Sequence, residues 1–429
     1  MLALLVLLFI FLIFLGMDLV FASGLSALIY LLIINTGDFP IPLEVIPQKM
    51  MNGVDSFPLM AIPFFMLAGE LMNKGGITRR LVDFSRALVG HITGGLAQVN
   101  IVANMIMAGM SGSANADCAA TGAVLIPAMV ETGYPADFAA AVTASASTVG
   151  PVIPPSIGFV LFGAMTGVSV GRLFLGGAIP GVLMGLAMMI ISYLVARREG
   201  YPRDQRASFR KLLGTTREAL GALLMPLVII GGIVGGIMTP TEASAIAVCY
   251  SLVVGFLLYR ELSVHDVISA LVNVGVGTAA IMIIVSTVNV FSWMVTIEQM
   301  GPKIVAFLSS ITNSPYIVLA LLNLWFLILG CIMAPTPIYL LVVPILVPLA
   351  KSYGIDLVHL GVFMTVNLML GLLTPPVGIN LFIVSSIARV PVIRVAKAAI
   401  PYMIAILVVL LMITYLPSLT TWLPNLLMP

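Results

Sequence analysis

Apolar runs long enough to cross about 30 Å of hydrocarbon recur from one end of this chain to the other. In that solvent no backbone N–H or C=O can go without a partner, so only helices or a closed barrel can span, and runs of this length favour helices. Charge is correspondingly scarce. Asp, Glu, Lys and Arg make up 8% of the 429 residues and the mean hydropathy is +1.17, too little charge to cover a soluble surface. The expectation is an all-α polytopic membrane protein. Met1–Leu15 lacks a basic leading region and a small-residue cleavage site, and reads as a membrane helix rather than a removable leader. Cys118, Cys249 and Cys331 lie in apolar surroundings and suggest neither disulfides nor a metal framework. The net charge of +2 says little about partners beyond the lipid bilayer, and nothing points to nucleic acid.

The one strongly polar segment, "ARREGYPRDQRASFRKLLGTTRE" (196–218), holds seven basic residues against three acids and is cytoplasmic by the positive-inside rule. It divides the chain into halves: a first repeat over 1–195, a basic linker over 196–219 and a second repeat over 220–429. With an offset of 221, Gly109 meets Gly330, Pro127 meets Pro348, Gly150 meets Gly371, Pro154–Pro155 meets Pro375–Pro376, and Pro180 meets Pro401. Chance alignment of greasy helices gives Leu and Val identities, not a register held by Gly and Pro, so the chain reads as an internal duplication. Each half is expected to hold two spans (1–15 and 19–35; 221–236 and 241–258), then one near 58–73 or 279–296 and another near 95–110 or 316–330. A re-entrant hairpin at 114–132 or 335–350 follows, then a span broken by "GPVIPP" or "GLLTPP", and a last span at 175–195 or 399–416. Hydropathy alone leaves open whether the repeats are parallel or inverted.

Paired broken helices at matching places of two repeats point to a transporter's binding site. Proline removes an N–H and breaks the helix, freeing carbonyls that are costly in hydrocarbon unless they line a cavity or hold a ligand. Such oxygens suit Na⁺, while half-helix N-termini suit a carboxylate. "MAGMSGSANADCAATG" (107–122) supplies Ser111, Gly112, Ser113, Asn115 and Asp117 at a tip expected to meet the break Gly150–Pro155. The second half offers Ala334, Pro335 and Thr336 at the tip and Gly371–Pro376 at the break, with Thr374 where the first half has Ile153. Two pseudo-equivalent cation sites with a substrate between them is the natural arrangement. Small residues also serve close helix packing, which is as good a reading for Ser111 taken alone. Asp117 is the more telling residue, an acid inside a membrane segment. Asp18, Glu44, Glu70, Asp137 and Glu242 are weaker candidates, and Glu242 in "TPTEAS" reads as a first-turn helix residue. His91, His265 and His359 read as interfacial rather than catalytic.

These residues resemble the large membrane subunit of tripartite ATP-independent periplasmic (TRAP) transporters, along nearly the whole chain. The marks are "FPLMAIPFFMLAGELMNKGGITRRLVDF" (57–84), "GMSGSANAD" (109–117), "GYPADFAAAVTASASTVGPVIPPS" (133–156), "MTPTEASAIAVCY" (238–250) and "TPPVGINLF" (374–382). The resemblance implies a bacterial inner-membrane, Na⁺-coupled importer of an organic acid, sialic acid first and a C4-dicarboxylate next. It also implies inverted repeats, paired re-entrant hairpins and an elevator motion against a scaffold. Na⁺ would be held by Ser111, Gly150, Ile153 and Pro155 in one half and around Ala334, Gly371, Thr374 and Pro376 in the other. The substrate would meet Ser113, Asn115, Asp117, Thr336 and Asn380. Expected partners are a separate small membrane subunit and a periplasmic substrate-binding protein. Two departures stand out: Ala334 in "CIMAPTP" replaces the family's usual Asp, and "LGMDLV" lacks its usual early Pro.

Rival readings are a stand-alone Na⁺/dicarboxylate symporter, a channel, and a rhomboid-type intramembrane serine protease suggested by "GMSG" (109–112). The protease needs a histidine beside Ser111, and none of the three lies deep in an apolar helix. The chain is read as a transporter, not an enzyme.

Overall fold

The computed structural model describes residues 2–35 and 40–428, and among these there is no strand. Met1, the first residue of the expected opening span, and Pro429 lie outside the described residues. The first half carries α1 (Leu2–Phe14), α2 (Leu19–Ile34), α3 (Val45–Val54), α4 (Ala61–Lys74), α5 (Ile77–Val89), α6 (Gly95–Ser111), α7 (Ala114–Glu131), α8 (Ala136–Ser147), α9 (Ile157–Thr166) and α10 (Val170–Glu199). The second carries α11 (Phe209–Val234), α12 (Pro240–Val253), α13 (Val264–Ile297), α14 (Met300–Ile311), α15 (Pro315–Ile332), α16 (Pro335–Ser352), α17 (Leu357–Gly371), α18 (Ile379–Ala388), α19 (Val392–Tyr415) and α20 (Ser418–Leu427). Among the described residues seven helices are long and apolar enough to cross a bilayer; α3 with Phe57–Lys74, bent by 58°, makes an eighth if read as one span.

The hairpin arms differ from expectation. The span expected at 95–110 and the re-entrant segment expected at 114–132 are the two arms of one hairpin, α6 and α7. The turn takes only Gly112, left-handed at φ 61°, and Ser113, whose Oγ caps α7 by accepting from the Ala116 N–H at 3.4 Å. A two-residue turn leaves little polar sequence to betray two whole arms. In the second half α15 and α16 also turn over two residues, but there Met333 and Ala334 are both extended and neither is left-handed. The span expected at 279–296 is the C-terminal part of α13, whose 34 residues begin at Val264. The basic segment is loop only over 200–208, because α10 and α11 run into it from either side and Ser208 caps α11. Sequence reading passed over α3, α5, α14 and α20; α5 ("ITRRLVDFSRALV") buries Leu81 and Val82 while Arg79 and Asp83 stay polar and outward, too charged for a hydropathy search.

The core is built on α8 and α17, which are buried from Phe138 to Ser147 and from Val358 to Gly371. Alanine and glycine there let neighbours approach closely, the usual means of helix association in lipid. Both helices end in the breaks, and each break holds a cis X–Pro bond, Pro154–Pro155 and Pro375–Pro376. Corresponding elements of the two halves exchange partners: α7 lies against α18, α9 against α16, and α10 against α19. One side of this body faces α4 and α13, which pack on each other.

At the α15–α17 crossing a Cβ on Gly371 would run into the Gly330 backbone, so the two helices meet through glycine. Gly371→Ala is therefore expected to cost ~1–3 kcal/mol. It should lower the melting temperature in detergent by several degrees, whereas Gly275→Ala, with open space around it, should not.

Candidate functional site

A cavity of about 340 Å³ lies where the two tips, the first break and the α4–α13 face converge. Ser113, Asn115 and Thr336 line it, as do Ser111, Ala334 and Pro151. The N-termini of α7, α9 and α16 all open on it, through Ala114, Ile157 and Pro335. Of these, α7 and α9 are capped by serine. Ser156 Oγ accepts from the Phe159 N–H at 3.2 Å and donates to the Pro151 carbonyl at 2.5 Å, whereas Ala334 gives α16 no side-chain cap. Three positive dipole ends facing one space can hold an anion without a basic side chain.

Asp117 and Asn380 lie outside the lining, both fully buried. Ser111 Oγ donates to Asp117 Oδ1 at 2.5 Å, which leaves Asp117 Oδ2 without a hydrogen-bond partner. That oxygen sits against Gly150, where a Cβ would stand 2.6 Å from it. A Cβ on Gly112 would likewise stand 2.7 Å from the Pro155 carbonyl, so both glycines admit oxygen where any side chain would block it. Ser111, Asp117, Gly150 and Pro155 thus come together between the first tip and its break; Ser111 also lines the cavity, and the other three lie outside its lining. Ile153 packs on Gly181 beside them. Asn380 bridges the halves: from α18 it donates to Ser147 Oγ at 2.9 Å and to the Ala144 carbonyl at 3.3 Å, and its Oδ1 has no partner.

The second break has different chemistry. Ser111 and Asp117 correspond to Ile332 and Ile338, and Thr374 Oγ1 is spent on the Leu370 carbonyl at 2.8 Å. Pro376 is exposed where Pro155 is buried. Of the four residues expected to hold a second ion, only Ala334 lines the cavity; Gly371, Thr374 and Pro376 lie outside its lining.

Sequence reasoning missed a polar ladder behind the first tip. Thr121 donates to the Asp117 carbonyl at 2.6 Å and to Asn104 Oδ1 at 3.3 Å; Asn104 donates to Asn100 Oδ1 at 2.9 Å, and Asn100 to Thr143 Oγ1 at 2.7 Å. It also gave little weight to the opposite wall, where Glu70 and Asn73 of α4 and Asn273 of α13 line the cavity. The signal was present in "LAGELMNKGG", a carboxylate and an amide three residues apart on one helix face. Two of the weaker acids have local roles: Asp18 caps α2 and Glu242 closes a capping box with Thr239. Among the described residues no histidine bonds Ser111, but His359, expected to be interfacial, is instead buried in α17 with its Nδ1 2.9 Å from Thr420 Oγ1. Among the described residues no cluster of His, Cys, Asp and Glu could hold a metal ion.

Residues 5–419 match the family model described as the DctM component of tripartite ATP-independent periplasmic transporters. The chain is 40% identical to the C4-dicarboxylate TRAP transporter large permease protein of Pseudomonas aeruginosa over 94% of its own length and 93% of the relative's. It is 39% identical to the sialic acid TRAP transporter permease protein of Haemophilus influenzae over 89% of its length, and spans 62% of that longer relative. The crystal structure of the Alcanivorax borkumensis YdaH transporter shares the fold at a TM-score of 0.65 and 14% identity, covering 93% of this chain and 98% of that one.

The Ser111–Asp117 bond carries a stability expectation. Ser111→Ala leaves both buried oxygens of Asp117 unpaired and should cost ~1–3 kcal/mol. Asp117→Asn keeps the bond without burying a charge, and should melt no lower than the parent protein in detergent. A Ser111→Ala protein as stable as the parent would show that this bond holds nothing.

Proposed function

From the premise that the chain belongs to the DctM component family of tripartite ATP-independent periplasmic transporters, we propose that it carries an organic acid across the bacterial inner membrane by Na⁺-coupled symport. It is a multi-pass transport subunit and not an enzyme. The observation that carries the reading is the unpartnered Oδ2 of Asp117 beside the side-chain-free backbone at Gly150, one layer behind a cavity onto which three helix N-termini open. A buried carboxylate oxygen and freed carbonyls suit Na⁺, and the dipole ends suit a substrate carboxylate. Na⁺ would be held by Asp117 and Ser111 with the carbonyls of Gly150, Ile153 and Pro155 in the first half. A second Na⁺ would sit at Ala334, Gly371, Thr374 and Pro376. Ser113, Asn115 and Thr336 would meet the substrate. Asn380, bonded to Ser147, would position the first break.

The reading extends to inverted repeats, whose exchanged partners make one body of both hairpins and both broken helices. That body would slide, elevator-fashion, along α4 and α13. A small membrane subunit and a periplasmic binding protein complete the proposed assembly. Sialic acid is the favoured substrate and a C4-dicarboxylate the next.

The test is uptake of radiolabelled sialic acid, with succinate in parallel, into proteoliposomes holding this chain and its small subunit, with binding protein outside. Uptake should require an inward Na⁺ gradient, and Asp117→Asn should cut it at least about tenfold, a loss of ~1.4 kcal/mol or more. Ala334→Asp, restoring an acid to the second tip, should lower the Na⁺ concentration for half-maximal uptake. Uptake indifferent to Na⁺ would sink the symport, and uptake without the binding protein would favour a stand-alone carrier.

A further inference from the structure

The two walls of the cavity are opposite in electrical character. The hairpin wall presents three helix N-termini, while the α4–α13 wall presents Glu70, the one charged side chain among the described lining residues. Nothing neutralises it: no ion pair includes Glu70 among the described residues. Lys74 stands one turn along α4, where it would ordinarily pair with Glu70, but its Nζ donates to Ser269 Oγ at 2.8 Å instead. The contact Glu70 makes is with Asn273, whose Nδ2 lies 3.3 Å from Oε1, and Asn73 flanks it.

A cavity built to receive a carboxylate thus keeps a free negative charge at its other end. Beside a bound anion that arrangement is favourable only if the far end of the substrate brings hydrogen-bond donors. Hydroxyl or amide N–H groups would be taken up by Glu70 as charge-assisted bonds. A second carboxylate would meet Glu70 across a partly desolvated gap, where like charges repel strongly. Resting on the symporter reading above, we infer that Glu70 is a specificity-determining residue. It selects monocarboxylates with a polyhydroxylated far end and excludes dicarboxylates. The membrane unit would then discriminate between acids independently of its binding protein.

The test uses the purified membrane complex in detergent with Na⁺ and no binding protein. Binding of N-acetylneuraminate and of succinate is followed by calorimetry in the parent, in Glu70→Gln and in Asn73→Asp, which adds a second acid to the same wall. The parent should bind N-acetylneuraminate at least about tenfold more tightly than succinate. Glu70→Gln should shrink that ratio about tenfold, chiefly by improving succinate, and Asn73→Asp should widen it. A ratio unmoved by both variants, or a parent that prefers succinate, overturns the inference while Na⁺-dependent binding leaves the symporter reading standing. Absence of Na⁺-dependent binding of either acid overturns both.

Discussion

The structure depends on the price of an unpaired backbone carbonyl in hydrocarbon. Helices meet that demand internally, and among the described residues the two most deeply buried helices each give way to a long non-helical break, at 148–156 and 372–378. Each lies at the end of a helix buried along nearly its whole length, and each faces a hairpin tip. Proline makes the break and glycine lets oxygen stand beside it. Gly112 and Gly150 admit the Pro155 carbonyl and the Asp117 carboxylate, and Gly371 admits the Gly330 backbone. Polar chemistry in this protein is concentrated where the helical pairing of the backbone has been given up.

That constraint explains what the sequence made legible. Gly and Pro mark backbone geometry, so they kept a common offset of 221 while the apolar residues between them drifted. The first tip and the two breaks could be placed from "SGSANAD", "GPVIPP" and "GLLTPP", and the second tip from the offset. Hairpin arms were harder, because α6 reads as one more apolar span and only the two-residue turn at Gly112–Ser113 shows that it doubles back. Amphipathic α5 escaped for the opposite reason, because a search tuned to continuous apolarity passes over its polar face, and apolar α14 escaped because its 12 residues are too few to span.

The site was legible by halves for a similar reason. Ser113, Asn115 and Thr336 project from tips that the chain visibly builds, and they line the cavity. Asp117 is a single helical turn further along α7, and that turn carries it behind the tip to face Gly150 rather than the cavity. Asn380 belongs to α18, whose partner α8 lies in the other half, and no local pattern announces a contact across 233 positions. The α4–α13 wall was obscured because Glu70 sits in a segment that reads as an ordinary span with one acid near its end.

The two breaks differ in chemistry, and the difference has a direction. At the first break a carboxylate, a hydroxyl and freed carbonyls are gathered in a fully buried space. At the second, Ile332 and Ile338 stand in place of Ser111 and Asp117, and Pro375 and Pro376 are exposed. Under the proposed symport an ion at the first site would draw on a buried carboxyl, whereas one at the second would draw on backbone dipoles while competing with water. Under the symport reading the first site is therefore the tight one and the second the weak one. The weak ion is then the one whose arrival reports on the external Na⁺ concentration. Under that reading it is the side chains at 111, 117, 332 and 338 that make the two proposed sites unequal.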